Sequence, residues 1–88
     1  MNIILGGWTV QEEITSDLKA VFAEAMEGFV GVGYEPKLAA TQVVKGINYC
    51  FICVSTLITP EKTKGFAKVF IYKAPDAKAV ITQIEQIL

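Results

Sequence analysis

The sequence predicts an α+β fold in which one α-helix packs on a curved antiparallel sheet of four to five strands, in the order β-α-β-β-β-β. Residues 18–29 carry one apolar stripe at helical spacing, and the chain after residue 33 is a series of strand-like runs joined by short connections. Consecutive strands with short connections pair antiparallel. One helix cannot cover both faces of such a sheet, so we expect the concave face of the sheet to wrap around it.

The first strand is expected within residues 1–10, which include a glycine pair and the single tryptophan, Trp8. Thr15 is a good helix N-cap, and Asp17 then lies favourably in the first helical turn. The helix is predicted over residues 16–27 and ends at Gly28, which suits the position after a helix C-terminus. Its apolar stripe comprises Leu18, Val21, Phe22, Ala25, Met26 and Phe29.

Strands are predicted over residues 34–45, 47–59 and 66–73, because these runs are rich in β-branched and aromatic residues. Pro36 fits an edge or first position of its strand. Residues 80–88 could be strand or helix by composition, and the β-branched run at residues 80–82 favours strand. The connections are a tight turn at residues 42–46, a polar loop at residues 59–65 and a Pro-Asp turn at residues 74–77.

Bulk composition argues against several classes of function. The 88 residues are expected to form a single domain, residues 1–88, and their hydrophobic fraction of 52% allows a core without disulfides or metal. The net charge of −1 and the absence of arginine argue against nucleic acid as a partner. Histidine is absent, which removes the usual general base and the commonest imidazole ligand, so we expect no enzyme and no cofactor.

No stretch is long and apolar enough to span a bilayer, and no secretory leader is recognisable, so no membrane association is expected. A cytoplasmic protein is the default expectation, although a chain that had lost a signal peptide would read the same way.

Cys50 and Cys53 are expected to be free thiols. Residues three apart in a strand point to opposite faces and lie roughly 10 Å apart along it. A disulfide needs Cα atoms within about 7 Å, so the two should neither bond to each other nor share a metal. We expect one thiol in the core and the other on the outer face of the sheet.

Both faces of the predicted sheet are apolar. In the third strand Tyr49, Phe51 and Cys53 share one face, whereas Cys50, Ile52 and Val54 share the other. The strand at residues 66–73 shows equally little polar contrast. Because the helix covers only one face, the sequence predicts an exposed apolar surface suited to self-association or to a partner.

The turn residues Gln42, Val43, Val44, Lys45 and Gly46 match the Gln-x-Val-x-Gly loop of the cystatins, which inhibit cysteine proteases. The flanking Thr41, Asn48 and Tyr49 and the run Lys68-Val69-Phe70 also resemble that family. Gly6 and Gly7 lie where the family carries its N-terminal glycine. The chain resembles a cystatin over most of its length and is closest to the disulfide-free, stefin-type members.

The resemblance implies a wedge that enters the active-site cleft of a papain-like protease. Gly6 and Gly7 would let the N-terminal trunk pass close to the protease, and Gln42 to Gly46 would form the central tip. Pro75, with its neighbours Ala74 and Asp76, would form the second loop. The alternative is a non-inhibitory interaction or self-association module on the same scaffold, acting through the apolar sheet face.

Overall fold

The computed structural model describes residues 7–88. One helix and five strands follow the predicted order. They are β1 (Trp8–Gln11), α1 (Ser16–Met26), β2 (Val32–Val44), β3 (Gly46–Leu57), β4 (Lys64–Lys73) and β5 (Val80–Gln86). The strands form one sheet in the order β1-β2-β3-β4-β5, and every neighbouring pair is antiparallel. The predicted α+β architecture is confirmed, and the run that could have been strand or helix forms a strand, Val80–Gln86.

The helix begins and ends where the sequence predicts. The Thr15 hydroxyl accepts a hydrogen bond of 3.3 Å from the Leu18 amide, which satisfies one of the unpaired donors of the first turn. Glu27 is the C-cap, and Gly28 follows it with a φ of +82°. That left-handed conformation is costly for other residues, so the glycine permits the chain to leave the helix.

The core lies between α1 and the concave face of the sheet. Leu18 and Phe22 are its buried helical residues, and the Phe22 ring meets the Phe51 ring edge-on at 5.0 Å between centroids. Val21, Ala25 and Met26 pack against the same cluster. The last member of the predicted stripe, Phe29, lies beyond the end of the helix and contacts Tyr34 instead.

The strands of the central hairpin extend further than expected at one end. β2 begins at Val32 and runs to Val44, and β3 begins at Gly46, so Lys45 is the only residue between them. The prediction of a five-residue turn at residues 42–46 is therefore wrong in extent. Gly46 adopts a φ of +104°, and this conformation lets the chain reverse over a single intervening residue.

Pro36 occupies the type of position predicted for it. β1 pairs only with residues 39–42 of β2, so Pro36 lies on a part of the strand that no described strand covers on that side. A register shift between Pro36 and Leu38 interrupts the pairing with β3. Proline, charge and irregularity along an edge hinder unwanted strand addition, and Glu35 and Lys37 supply the charge here.

The two cysteines behave as predicted. Cys53 is fully buried among core side chains, Cys50 is half-buried on the outer face, and both are free thiols. Burial raises the pKa of the Cys53 thiol to about 12 and raises the pKa of the Cys50 thiol as well. Both thiols therefore remain protonated at neutral pH and are poor nucleophiles.

Candidate functional site

Three segments meet at one end of the sheet, which we call the loop edge: the start of β1, the β2–β3 hairpin and the β4–β5 loop. The antiparallel register places them together, because Trp8 pairs with Gln42, and Ile47 pairs with Lys73. The β3–β4 loop lies at the opposite end. The loop edge contains every predicted site residue that the structure describes, namely Gly7, Gln42, Val43, Val44, Lys45, Gly46 and Pro75. Gly6 lies outside the described residues.

The hairpin presents apolar surface and one positive charge. Val43 is 78% exposed and Val44 is 45% exposed, so neither valine is buried in the core. The Lys45 side chain is exposed at the turn between them and Gly46. Exposed valines beside a turn are available for contact with a partner, so the hairpin has the character of a binding element.

Gln42 is half-buried within the sheet, whereas Val43, Val44 and Lys45 are exposed. Its Oε1 accepts a hydrogen bond of 2.9 Å from Asn48 Nδ2 in the opposite strand. A Cβ added at Gly7 would lie 3.3 Å from Gln42 Cγ, so the chain just before β1 passes close to this side chain. Gly7 has a φ of +92°, which favours glycine. Gln42 therefore joins the N-terminal segment to the hairpin within the sheet.

Gly46 sits directly against the end of β4. A Cβ built there would lie 2.5 Å from the Lys73 carbonyl oxygen and 3.1 Å from Ala74 Cα. The Tyr72 hydroxyl reaches past this glycine and donates a hydrogen bond to the Lys45 carbonyl. The hairpin and the start of the second loop are therefore in direct contact.

The second loop contains a β-turn centred on Pro75 and Asp76, as the sequence predicts. The Ala77 amide donates to the Ala74 carbonyl at 3.3 Å, which closes the turn, and both central residues are exposed. Proline presets the backbone at the second position of such turns. The loop therefore presents a short tip beside the hairpin.

Glu24 of helix α1 binds the second loop on the side of the core. The Glu24 carboxylate accepts a hydrogen bond of 2.7 Å from the Ala79 amide, and Lys73 Nζ lies 3.6 Å from the same oxygen. Lys73 Nζ also donates to the Ala77 carbonyl at 2.6 Å. The Ala79 N–H holds the pKa of the Glu24 carboxyl below its ordinary value, and the Lys73 ammonium adds to that effect.

Sequence reasoning did not assign Tyr72, Asn48 or Glu24 a role in supporting the loop edge, although Asn48 was named as a flanking match to the family. Asn48 pairs with Gln42, and Tyr72 pairs with Asn48, so this row follows once the register of β2, β3 and β4 is known. Glu24 carried no comparable signal, because nothing in its spacing links a helical carboxylate to an amide 55 residues away.

The single tryptophan, Trp8, is the first residue of β1. It lies on the outer face of the sheet, where it lines a hollow of about 210 Å³ together with Asn48 and Phe70. Among the described residues, no group of three or more His, Cys, Asp or Glu side chains could hold a metal ion. No helix within residues 7–88 has the length and apolar character needed to cross a membrane.

A comparison with solved structures finds the crystal structure of a salivary cystatin from the soft tick Ornithodoros moubata. The two structures share a TM-score of 0.69 over 97% of this chain and 100% of the tick chain, at 21% sequence identity. No protein-family model matches the sequence, and a sequence search of curated proteins finds no match. The chain has the cystatin-like fold that its hairpin motif and strand order predict.

Proposed function

We propose that this protein is an inhibitor of papain-like cysteine proteases that binds the active-site cleft through the loop edge. This proposal is supported by one observation: Gly7, the end of the hairpin at Val43–Lys45 and the turn at Pro75 lie together at one end of a cystatin-like sheet. Val43 and Val44 supply apolar contact surface, and their backbone is held by the hairpin. Such a preformed edge needs little change of shape to dock.

The positive charge of Lys45 at the hairpin turn affects which proteases the protein would bind fastest. Lys45 is exposed at the hairpin turn, whereas Lys73 beside it is engaged by Glu24 and the Ala77 carbonyl. A rim charge mainly steers encounter, so the protein should associate faster with proteases whose cleft has an acidic rim. The proposed activity is binding through the contact surface of the loop edge.

Replacing Val43 by Asp is expected to weaken inhibition at least about tenfold, because a carboxylate would have to be desolvated in the interface. The measurement is the inhibition constant against a panel of papain-like proteases. Val30→Asp is the matched control, because Val30 is 85% exposed and lies away from the loop edge. The carbonyl of the next residue, Gly31, accepts a hydrogen bond from the Ile58 amide at the opposite end of the sheet. The control should inhibit as the unmodified protein does. Absence of inhibition by the unmodified protein at micromolar concentration would refute the proposed function.

The outer face of the sheet supports a second candidate function, self-association. One cross-strand row on this face, Val10–Ala40–Cys50–Phe70, is apolar over four strands. The pairs Leu38–Ile52 and Val54–Phe66 extend the apolar surface on one side of it, and Lys68, paired with Glu85, interrupts it. The apolar side chains of this row and these pairs are all half-buried or exposed. Val10 and Leu38 are 40% exposed and Phe66 is 45% exposed. Contiguous exposed apolar surface of this kind is a common property of interfaces between copies of a protein.

Leu38→Lys is expected to shift the protein toward monomer, since it would replace an exposed apolar side chain of the outer face by a second ammonium group in the row that already contains Lys68. Leu57→Lys is the matched control, because Leu57 has nearly the same exposure, 43%, but ends β3 on the other face. Sedimentation velocity over a range of concentrations measures the result. A strictly monomeric unmodified protein at high concentration would exclude this candidate.

A further inference from the structure

The tip of the β2–β3 hairpin is held by a residue that lies outside the hairpin. Lys45 is the only residue between the paired Val44 and Gly46, and its carbonyl accepts a hydrogen bond from the Tyr72 hydroxyl. Tyr72 belongs to β4, 27 residues further along the chain. The conformation of the tip therefore depends on a contact between two different hairpins of the sheet.

Gly46 opens the path for this contact. A Cβ at position 46 would lie 2.8 Å from the Tyr72 hydroxyl oxygen, closer than a side-chain carbon can approach. With a side chain at residue 46, the hydroxyl would have to move from the position in which it contacts Lys45. The glycine in the hairpin motif thus has a second role here besides its φ of +104°, which is to admit the tyrosine.

The tyrosine is itself placed by its neighbours in the sheet. Tyr72 pairs with Asn48, which pairs in turn with Gln42, so the three side chains form one row on the outer face. The hydrogen bond of 2.9 Å between the Asn48 and Gln42 amides fixes the middle of that row. The row ends at Trp8, next to Gly7, so it links the N-terminal segment to the tyrosine.

We propose that the Tyr72 hydroxyl is a positioning group that holds the Lys45 tip in one conformation and thereby sets how tightly the loop edge binds its protease. The proposal rests on the proposed inhibitory function. A binding element that occupies its competent conformation only part of the time loses apparent affinity in proportion to that fraction. A rigid tip avoids the loss, because the cost of ordering it is met during folding.

Tyr72→Phe tests the proposal, since it removes the hydroxyl and keeps the ring. The NMR order parameters of Lys45 and Gly46 are expected to fall from about 0.85, typical of rigid backbone, towards 0.6. The ¹³C resonance of the Lys45 carbonyl should shift as it loses its hydrogen bond. The inhibition constant should rise about three- to tenfold, which corresponds to a tip that is competent only about a third to a tenth of the time. The melting temperature should fall by about 4–8 °C or less, because one hydrogen bond contributes about 1 kcal/mol to the stability of a domain of this size.

Tyr34→Phe is the matched control, because Tyr34 pairs with Ser55, far from the hairpin tip, and its ring contacts Phe29. It should leave the Lys45 signals and the inhibition constant unchanged. Unchanged tip dynamics in Tyr72→Phe would overturn the proposal, as would altered dynamics with undiminished inhibition. If the unmodified protein inhibits no protease, the proposed function fails, and the NMR measurements still decide whether Tyr72 holds the tip.

Discussion

Replacing Phe51 by Ala is expected to lower the free energy of unfolding by about 3–5 kcal/mol, the usual cost of truncating a fully buried phenylalanine. Phe51 is 0% exposed and lies in the middle of the core. Its ring meets Phe22 of α1 at 5.0 Å and stacks on Tyr49 at 6.0 Å between centroids. The cavity left behind would weaken the packing of the helix on the sheet, because Phe22 is one of the two buried residues of that helix.

Small domains are marginally stable, at about 5–15 kcal/mol in total, so a loss of this size leaves a large unfolded population. Urea unfolding followed by far-ultraviolet circular dichroism measures the change. Phe66→Ala is the matched control, because Phe66 is 45% exposed on the outer face and its truncation creates no enclosed cavity. We expect the control to cost about 1 kcal/mol or less, as surface substitutions usually do. Equal losses in the two variants would contradict the assignment of the core.

The two faces of the sheet show what period-two alternation can predict. Placing Tyr49, Phe51 and Cys53 on one face of β3 was correct, and all three are buried against the helix. The alternation could not say which of the two apolar faces the helix would cover, since both are similarly hydrophobic. Phe22 in α1 settles the choice through its contact with Phe51, a relation between residues that are distant in the chain.

The candidate site was predictable in part from short-range signals. The glycine in the hairpin motif and the Pro-Asp pair in the second loop are local turn signals, and the register of antiparallel strands brings both to one edge. The contacts that join these loops were not predictable. The bond from Tyr72 to Lys45 and the capping of Ala79 by Glu24 depend on the twist and curvature of the sheet, which no local pattern encodes.

Gly46→Ala is expected to destabilise the protein by about 2–6 kcal/mol, the sum of backbone strain and overpacking. Alanine is strained at the φ of +104° that Gly46 adopts. Its Cβ would also lie 2.5 Å from the Lys73 carbonyl oxygen, and a backbone atom cannot swing away as a flexible side chain can. The hairpin and β4 would have to separate, so the Tyr72 hydroxyl would lose the Lys45 carbonyl.

Gly31→Ala separates the two contributions. Gly31 has a similar φ of +97°, but a Cβ there would meet nothing within 4 Å, so this variant measures the backbone strain alone. Both variants lose the same conformational entropy in the unfolded chain, so that effect cancels from the comparison. Denaturant unfolding should show the larger loss for Gly46→Ala, and only that variant should lose inhibition under conditions where both proteins remain folded. If the two variants lost equal stability and inhibited equally well, the close approach of Gly46 to β4 would have no role in holding the hairpin, because an added Cβ meets β4 at position 46 and nothing at position 31.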